Sequence, residues 1–307
     1  MNYIGFDTSN YTTSVAYFDG KSGLNCSKLL PVKQGELGLR QSDAVFAHIK
    51  GLPELSGRLF SHISADSVQA VGVSTRPRAV DGSYMPCFMV GFTHAKMLSD
   101  ALHVPLLEFS HQQGHVAASL WSAGHLELMD TPHLAWHLSG GTTELLLVEP
   151  EGKNVRCTRI GGSSDISAGQ LIDRAGKLLE LPFPSGKHLD ALSQTAQGRE
   201  VFKVKCPEME FSLSGVQNKV EAFHRAGGDP AETAGYALRC VCAAVMQATK
   251  NALKAYPGLR VVFSGGVASN SMLRRELLPL EPIFSEPQYS TDNAMGIAVL
   301  TARAMEG

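Results

Sequence analysis

The sequence predicts an α/β protein made of two similar halves. Two observations carry this: a strand–turn–strand hairpin at the start of the chain returns in the same design about 130 residues later, and within each half strand patterns are followed by helical ones. Length agrees, because 307 residues exceed the roughly 250–300 at which one hydrophobic core stops growing.

In chain order, Tyr3-Ile-Gly-Phe-Asp7 reads as a strand, Thr8 to Thr13 as a polar turn and Ser14-Val-Ala-Tyr-Phe18 as the returning strand. A helical stretch follows around Leu39 to Phe60, then a strand-like Ala70-Val-Gly-Val-Ser74. The second hairpin pairs Leu134–Leu138 with Glu144–Val148 across the turn Ser139-Gly-Gly-Thr-Thr143. Asp165 to Leu179 opens with capping residues and places Ile172, Ala175 and Leu179 on one helical face. A longer helix, about Ala231 to Ala255, carries the apolar stripe Leu238, Val241, Ala244, Val245 and Ala248. Then come a buried strand, Arg260–Ser264, a Gly265-Gly266 turn, a helix from about Ser271 to Leu278 and a last helix from about Asn293 to Met305. No Pro-, Ser- or Gly-rich linker marks a boundary. The expected lobes are residues 1–109 and 110–307, with the C-terminal helix packing back on the first.

Composition narrows the function classes. Lys and Arg total 27 against 29 Asp and Glu, a net charge of −2, which excludes a globally basic nucleic-acid binder, and no DNA partner is expected. With 44% apolar and 18% charged residues the chain is a folding, not a disordered, sequence. Six cysteines without a Cys-x-x-Cys pair suggest neither a disulfide framework nor a thiolate zinc site. The N-terminus lacks a basic region ahead of an apolar run, and no stretch approaches the roughly 18 apolar residues of a membrane helix; a cytoplasmic protein is expected.

Several motifs bear chemistry. The turn Ser139-Gly140-Gly141-Thr142-Thr143 is either a tight hairpin connection or a nest whose N–H groups converge on phosphate. Ser264-Gly265-Gly266 ends a strand ahead of a helix, where Asn270 either caps that helix or contacts a base or ribose. His111-Gln-Gln-Gly-His115 sets two imidazoles one helical turn apart, the spacing that lets both hold one divalent metal. Gln112 stands where a zinc protease needs its glutamate base, so protease chemistry is disfavoured. Asp292 heads the last helix, where it reads as an N-cap, and Asp173 and Asp190 are either ribose contacts or solvated carboxylates. Basic residues cluster weakly at Arg199 to Lys205, Lys219 to Arg225 and Arg274-Arg275.

Taken together, Gly5-Phe-Asp7-Thr-Ser9, His111-Gln-Gln-Gly-His115, Ser139-Gly-Gly-Thr142, Asp165 to Asp173, Phe183-Pro-Ser-Gly186, Phe211-Ser-Leu-Ser-Gly215, Gly265-Gly-Val-Ala-Ser-Asn270 and Thr291-Asp-Asn293 resemble, in order, the motifs of the tRNA N(6)-adenosine threonylcarbamoyltransferase family. That family was formerly described as O-sialoglycoprotein endopeptidase. The resemblance implies an ASKHA (actin-like ATPase) fold, two duplicated lobes with a nucleotide cleft between them. It implies one iron or zinc ion on His111, His115 and Asp292. It also implies an adenine nucleotide (threonylcarbamoyl-AMP, AMP or ATP) on Leu138, Ser139, Gly140, Gly141, Thr142, Asp173, Gly186, Asp190, Gly265, Gly266 and Asn270.

The implied activity is transfer of a threonylcarbamoyl group from threonylcarbamoyl-AMP to the N(6) amine of the adenosine adjacent to the anticodon. The implied partners are tRNA and the other subunits of the transfer complex, an inactive ASKHA homologue and a small ATPase. The chain departs from the family pattern where Thr8-Ser-Asn-Tyr-Thr-Thr13 replaces Thr-Ser-Cys-Asp-Glu-Thr, where Thr142 replaces a histidine, and where Ile166 and Gln170 replace Asp and Glu. It also reads Arg76-Pro-Arg-Ala79 for Arg-Gly-Pro-Gly and Pro184-Ser-Gly186 for Pro-Gly-Gly. General acid–base groups contribute about 10²–10⁴-fold to rate. The alternative expectation is therefore a divergent paralogue that binds nucleotide and metal without modifying tRNA, acting as a regulatory or interaction subunit or on another acyl acceptor.

Overall fold

The computed structural model describes residues 1–9, 11–31 and 39–306; Asn10 of the expected first turn lies outside them. The chain runs β1 (Asn2–Thr8), β2 (Thr12–Phe18), β3 (Gly23–Leu29), α1 (Gln41–Phe60), β4 (Val68–Arg76), α2 (Phe88–Leu102), β5 (Leu106–Ser110) and α3 (His111–Ser122). It continues with β6 (His133–Leu138), β7 (Thr143–Glu151), β8 (Asn154–Ser163), α4 (Ala168–Leu178), α5 (Gly186–Ser193), β9 (Glu210–Phe211), α6 (Ser214–Arg225) and α7 (Pro230–Ala255). The last elements are β10 (Val261–Ser264), α8 (Ser271–Leu277), β11 (Ile283–Phe284) and α9 (Met295–Met305).

By packing, the chain divides into two compact units. The first is Met1–Thr131, Glu149–Cys157 and Asp292–Gly307, and the second is Pro132–Val148 and Thr158–Thr291. This differs from a boundary at 109/110. The α3 segment stays with the first unit because it crosses α9 at two glycines: a Cβ on Gly296 would overlap the Gly114 carbonyl. The terminal helix is in the first unit. Met295 to Ala302 is buried throughout, the fate of a helix that is apolar on every face.

In the first unit the described strands form one sheet in the order β3-β2-β1-β4-β5. The β1–β2 and β2–β3 pairs are antiparallel, whereas β4 runs parallel to both β1 and β5. Strand alternation divides β1 between two layers. Ile4 and Phe6 enter a core with Val15, Leu52, Leu55, Leu59, Val71 and Val73, while Gly5 faces α9, where a Cβ would run into the backbone of Ala294 and Ala298. Asp7, on the Gly5 face at the C-terminal end of β1, is thereby brought to the N-terminal end of α9.

The second unit repeats the plan. Its sheet order is β11-β10-β6-β7-β8-β9, so β8-β7-β6-β10-β11 reproduces β3-β2-β1-β4-β5, with β9 added outside β8. The β6–β7 hairpin is antiparallel and β10 is parallel to both β6 and β11, as in the corresponding β1–β2, β1–β4 and β4–β5 pairs of the first unit. The predicted stripe of α7 lies in the core with Trp136, Phe263 and Leu134. Trp136 Nε1 donates to Thr249 Oγ1 at 2.9 Å, so the buried indole keeps its hydrogen bond. The helix expected from Asp165 starts at Ala168, because Ser167 accepts from Gln170 N while Gln170 Oε1 accepts from Ser167 N. Among the described residues no helix is long and apolar enough to cross a membrane.

Candidate metal centre and nucleotide-binding loops

Each residue of His111-Gln-Gln-Gly-His115 has a task in the first unit. Ser110 accepts from Gln113 N at 3.2 Å and Gln113 Oε1 accepts from Ser110 N at 2.9 Å, a capping box that starts α3 at His111. Gln112 N donates to the Pro77 carbonyl, Gln113 Nε2 donates to the Val155 carbonyl and Gly114 admits α9. His111 and His115 then project from one face of the first turn with their Nε2 atoms 3.0 Å apart.

Asp292 completes the group. Its Oδ1 is 3.2 Å from His115 Nε2 and 3.5 Å from His111 Nε2. Asp292 does not cap α9, whose N-terminus has no side-chain cap; nearby, Ala294 N donates to Asn25 Oδ1 and Met295 N to Asn293 Oδ1. Two neutral-imidazole donors and a carboxylate are a suitable donor set for a divalent ion. Ligand atoms about 2.0–2.2 Å from a tetrahedral or octahedral ion lie roughly 2.9–3.5 Å from one another. The triangle of 3.0, 3.2 and 3.5 Å has that size, so the residues fit one ion as three ligands on a single face.

A second layer orients these ligands. His111 Nδ1 donates to Asp7 Oδ2 at 2.7 Å, which turns Nε2 toward Asp292. Ser9 N donates to Asp7 Oδ1 and Ser9 Oγ donates to Asp292 Oδ2, both at 3.0 Å, so one residue ties the two acids together. Asp7 is 1% exposed, and its carboxylate is met by the His111 ring and the Ser9 amide. Burial opposes a charged His111 ring, but the charges and hydrogen bonds of Asp7 and Asp292 outweigh it and raise the metal-free pKa to about 10. Burial likewise opposes the Asp292 charge, yet the hydrogen bonds from His111 and His115 hold its carboxyl well below the usual carboxylate range. Asp7 and Ser9 were not among the expected site residues; the motif Gly5-Phe-Asp7-Thr-Ser9 contained them, but their partners lie 104 and 283 residues away.

The expected nucleotide residues belong to the second unit. Gly140 and Gly141 face open space, since a Cβ at either would meet nothing within 4 Å, and Ser139 Oγ accepts from Thr142 N to set the turn. Ser167 Oγ donates to the Gly140 carbonyl and Gly169 packs on the Ser139–Gly140 backbone, bringing the N-terminus of α4 to this turn. Leu138 is buried behind it, and Gly265 is at φ 90°, where a side chain would strike the Leu138 carbonyl. Gly266 follows, facing open space.

Asn270 both caps and remains a donor. Its Oδ1 accepts from Leu273 N at 3.0 Å, while its buried Nδ2 has no hydrogen-bond partner. Gly186 starts α5. Asp173 Oδ1 accepts from Ser185 N at 2.7 Å, and burial raises its pKa against that bond. Asp190 is engaged through both oxygens, with Ser271 N at 2.9 Å and Ser271 Oγ at 2.8 Å. The two candidate ribose acids thus hold loops of their own unit in place.

A duplicated hairpin followed by parallel strands, met twice, defines an actin-like ATPase (ASKHA) fold. Full-length HypF in its phosphate- and nucleotide-bound form matches with a TM-score of 0.63 at 14% identity, over 99% of this chain and 47% of that one. Component A of the (R)-2-hydroxyglutaryl-CoA dehydratase of Acidaminococcus fermentans matches at 0.58 and 14%, over 99% of both chains. The ROK hexokinase of Thermus thermophilus matches at 0.52 and 15%, over 99% of this chain and 97% of that one. Sequence is more specific than these folds. The model of the tRNA N6-adenosine threonylcarbamoyltransferase family matches residues 38–299. A tRNA N6-adenosine threonylcarbamoyltransferase of Carboxydothermus hydrogenoformans is 30% identical over 264 residues, 82% of this chain and 75% of the relative. The chain belongs to the tRNA N6-adenosine threonylcarbamoyltransferase family.

Proposed function

We propose that the protein transfers a threonylcarbamoyl group from threonylcarbamoyl-AMP to the N(6) amine of the adenosine adjacent to the anticodon of tRNA. The transfer would depend on one divalent metal, iron or zinc, held by His111, His115 and Asp292. The observation that carries the reading is the ligand-sized triangle of those three side chains in a chain of this family. When bound, the ion supplies a Lewis acid for the charge that develops on the carbamoyl oxygen and phosphate.

The protein's own residues do the rest. Asp7 and Ser9 hold both ligand types in register, so little reorganisation is needed as charge develops. In the second unit, the Ser139–Thr142 turn offers its glycine face to the phosphate and Asn270 Nδ2 offers a donor to the nucleoside. The N(6) nitrogen forms the new C–N bond, the carbamoyl–phosphate C–O bond breaks, AMP leaves with the electron pair, and the surplus amine proton passes to solvent. No covalent enzyme intermediate is needed. Cytoplasmic tRNA and the remaining subunits of a transfer complex, an inactive ASKHA homologue and a small ATPase, are the proposed partners on the strength of family membership.

A second reading, a metal- and nucleotide-binding paralogue without this turnover, is favoured by the uncharged positions. Gln170 serves the α4 capping box without a charge to lend, and Thr12 is buried at the end of the first hairpin. Complementation decides between them. In a strain depleted of its authentic transferase, mass spectrometry of tRNA nucleosides should show N(6)-threonylcarbamoyladenosine restored by this chain. Well-expressed, folded protein that restores none would leave the paralogue reading.

A further inference from the structure

We propose that His48, on the far side of the sheet from the three ligands, is a positioning residue for the metal centre. The inference rests on the metal reading above and concerns a residue that contacts none of the ligands. His48 is fully buried in α1, and its Nδ1 lies 2.7 Å from the hydroxyl of Thr13, itself 1% exposed on β2. Gly51, one turn further along α1, faces the same threonine, where even a Cβ would sit 3.4 Å from its hydroxyl. The helix is therefore seated closely on the returning strand of the first hairpin.

That hairpin carries Ser9, whose amide and hydroxyl fix Asp7 and Asp292. Its outgoing strand is tied down by Thr8, whose Oγ1 donates to the Cys87 carbonyl and accepts from Gly91 N. Its returning strand is paired with Thr8 at Thr13, and there the described side-chain tie is to His48. Burial lowers the His48 pKa, with the backbone of Ser9 and the charge of Asp7 opposing, so the ring is a neutral, fixed hydrogen-bonding strut. Its other nitrogen, Nε2, is buried as well, a polar atom kept inside the core. Loss of the strut frees the Ser9 turn, and with it the orientation of both carboxylates.

The test is Co²⁺ titration of the purified full chain, followed by calorimetry and by the visible ligand-field bands of the bound ion. His48→Ala and Thr13→Val should each weaken Co²⁺ binding about tenfold and shift the bands, the lower end of what outer-shell partners contribute. The double variant should be no weaker than either single one, and His48→Asn, which keeps a group able to bond the Thr13 hydroxyl, should recover most of the affinity. Should His48→Ala fail to fold, Thr13→Val decides, because it keeps the buried volume. Wild-type affinity and bands in folded Thr13→Val would overturn the inference. Absence of Co²⁺ binding by the wild type would instead overturn the metal reading beneath it.

Discussion

Asp7 Oδ2 and His111 Nδ1 are joined by a 2.7 Å hydrogen bond that spans 104 residues of chain, from the end of the first strand to the first residue of α3. This bond fixes which imidazole nitrogen faces Asp292. It makes Asp7 part of the candidate metal centre although it lies outside the triangle of His111, His115 and Asp292.

Asp7→Asn should therefore lower metal affinity by about 10–100-fold, because the amide keeps the shape but loses the charge that holds the imidazole. Competition titration against a chelator of known affinity measures it. Unchanged affinity would remove Asp7 from the centre.

The α3–α9 crossing should be equally sensitive. Gly296→Ala places a methyl group against the Gly114 carbonyl, an overpacking that costs about 1–3 kcal/mol, and it displaces the helix that follows Asp292. Urea unfolding and metal titration of the same sample should show both losses. Full stability would mean that the helices separate at no cost.

Asn270 can be divided into its two duties. Asn270→Asp keeps the acceptor for Leu273 N but loses the buried donor, so folding should hold while affinity for AMP falls. Asn270→Ala loses the cap as well and should cost about 1 kcal/mol of stability. Thermal melts with and without AMP separate the effects, and undiminished AMP binding by Asn270→Asp would leave the residue a cap alone.

Asp165 predicts an acid-sensitive second unit. Burial opposes its charge, but Ser212 Oγ, Ser214 Oγ and the amides of Leu213 and Ser214 donate to it and hold its carboxyl below the usual range. A carboxylate with a depressed folded-state pKa stabilises above its unfolded value, about 3.9, and that contribution is lost as pH falls below it toward the folded value. Asp165 is exposed, so solvent screening leaves about 1 kcal/mol. Asp165→Asn should lower stability at neutral pH by that amount and flatten the loss below about pH 4. A variant with the wild-type acid profile would contradict this.

What could be read from sequence follows the range of the interactions. Hairpins and amphipathic helices are local, so the two hairpins and the stripe of α7 appear where the patterns put them. The His111–His115 pair is also local, being one helical turn. Asp292 reads from its place in the chain as a cap, and its meeting with His111 and His115, 177 residues away from the latter, depends on the fold. The same holds for Ser9 and His48, which gain meaning from partners brought together by the sheet. Asp190 likewise depends on the fold: its two oxygens accept from Ser271 N and Ser271 Oγ at the start of α8, 81 residues away in the chain. The placing of α3 with the first unit rests on Gly114 and Gly296, small residues whose contact no local pattern announces.

The metal content of the protein purified without chelators tests the account most directly. Wild type should carry about one iron or zinc ion per chain by mass spectrometry, and His111→Ala and Asp292→Ala, both folded by circular dichroism, should carry almost none. Equal metal in wild type and variants, or none in the wild type after anaerobic reconstitution with either metal, would contradict it.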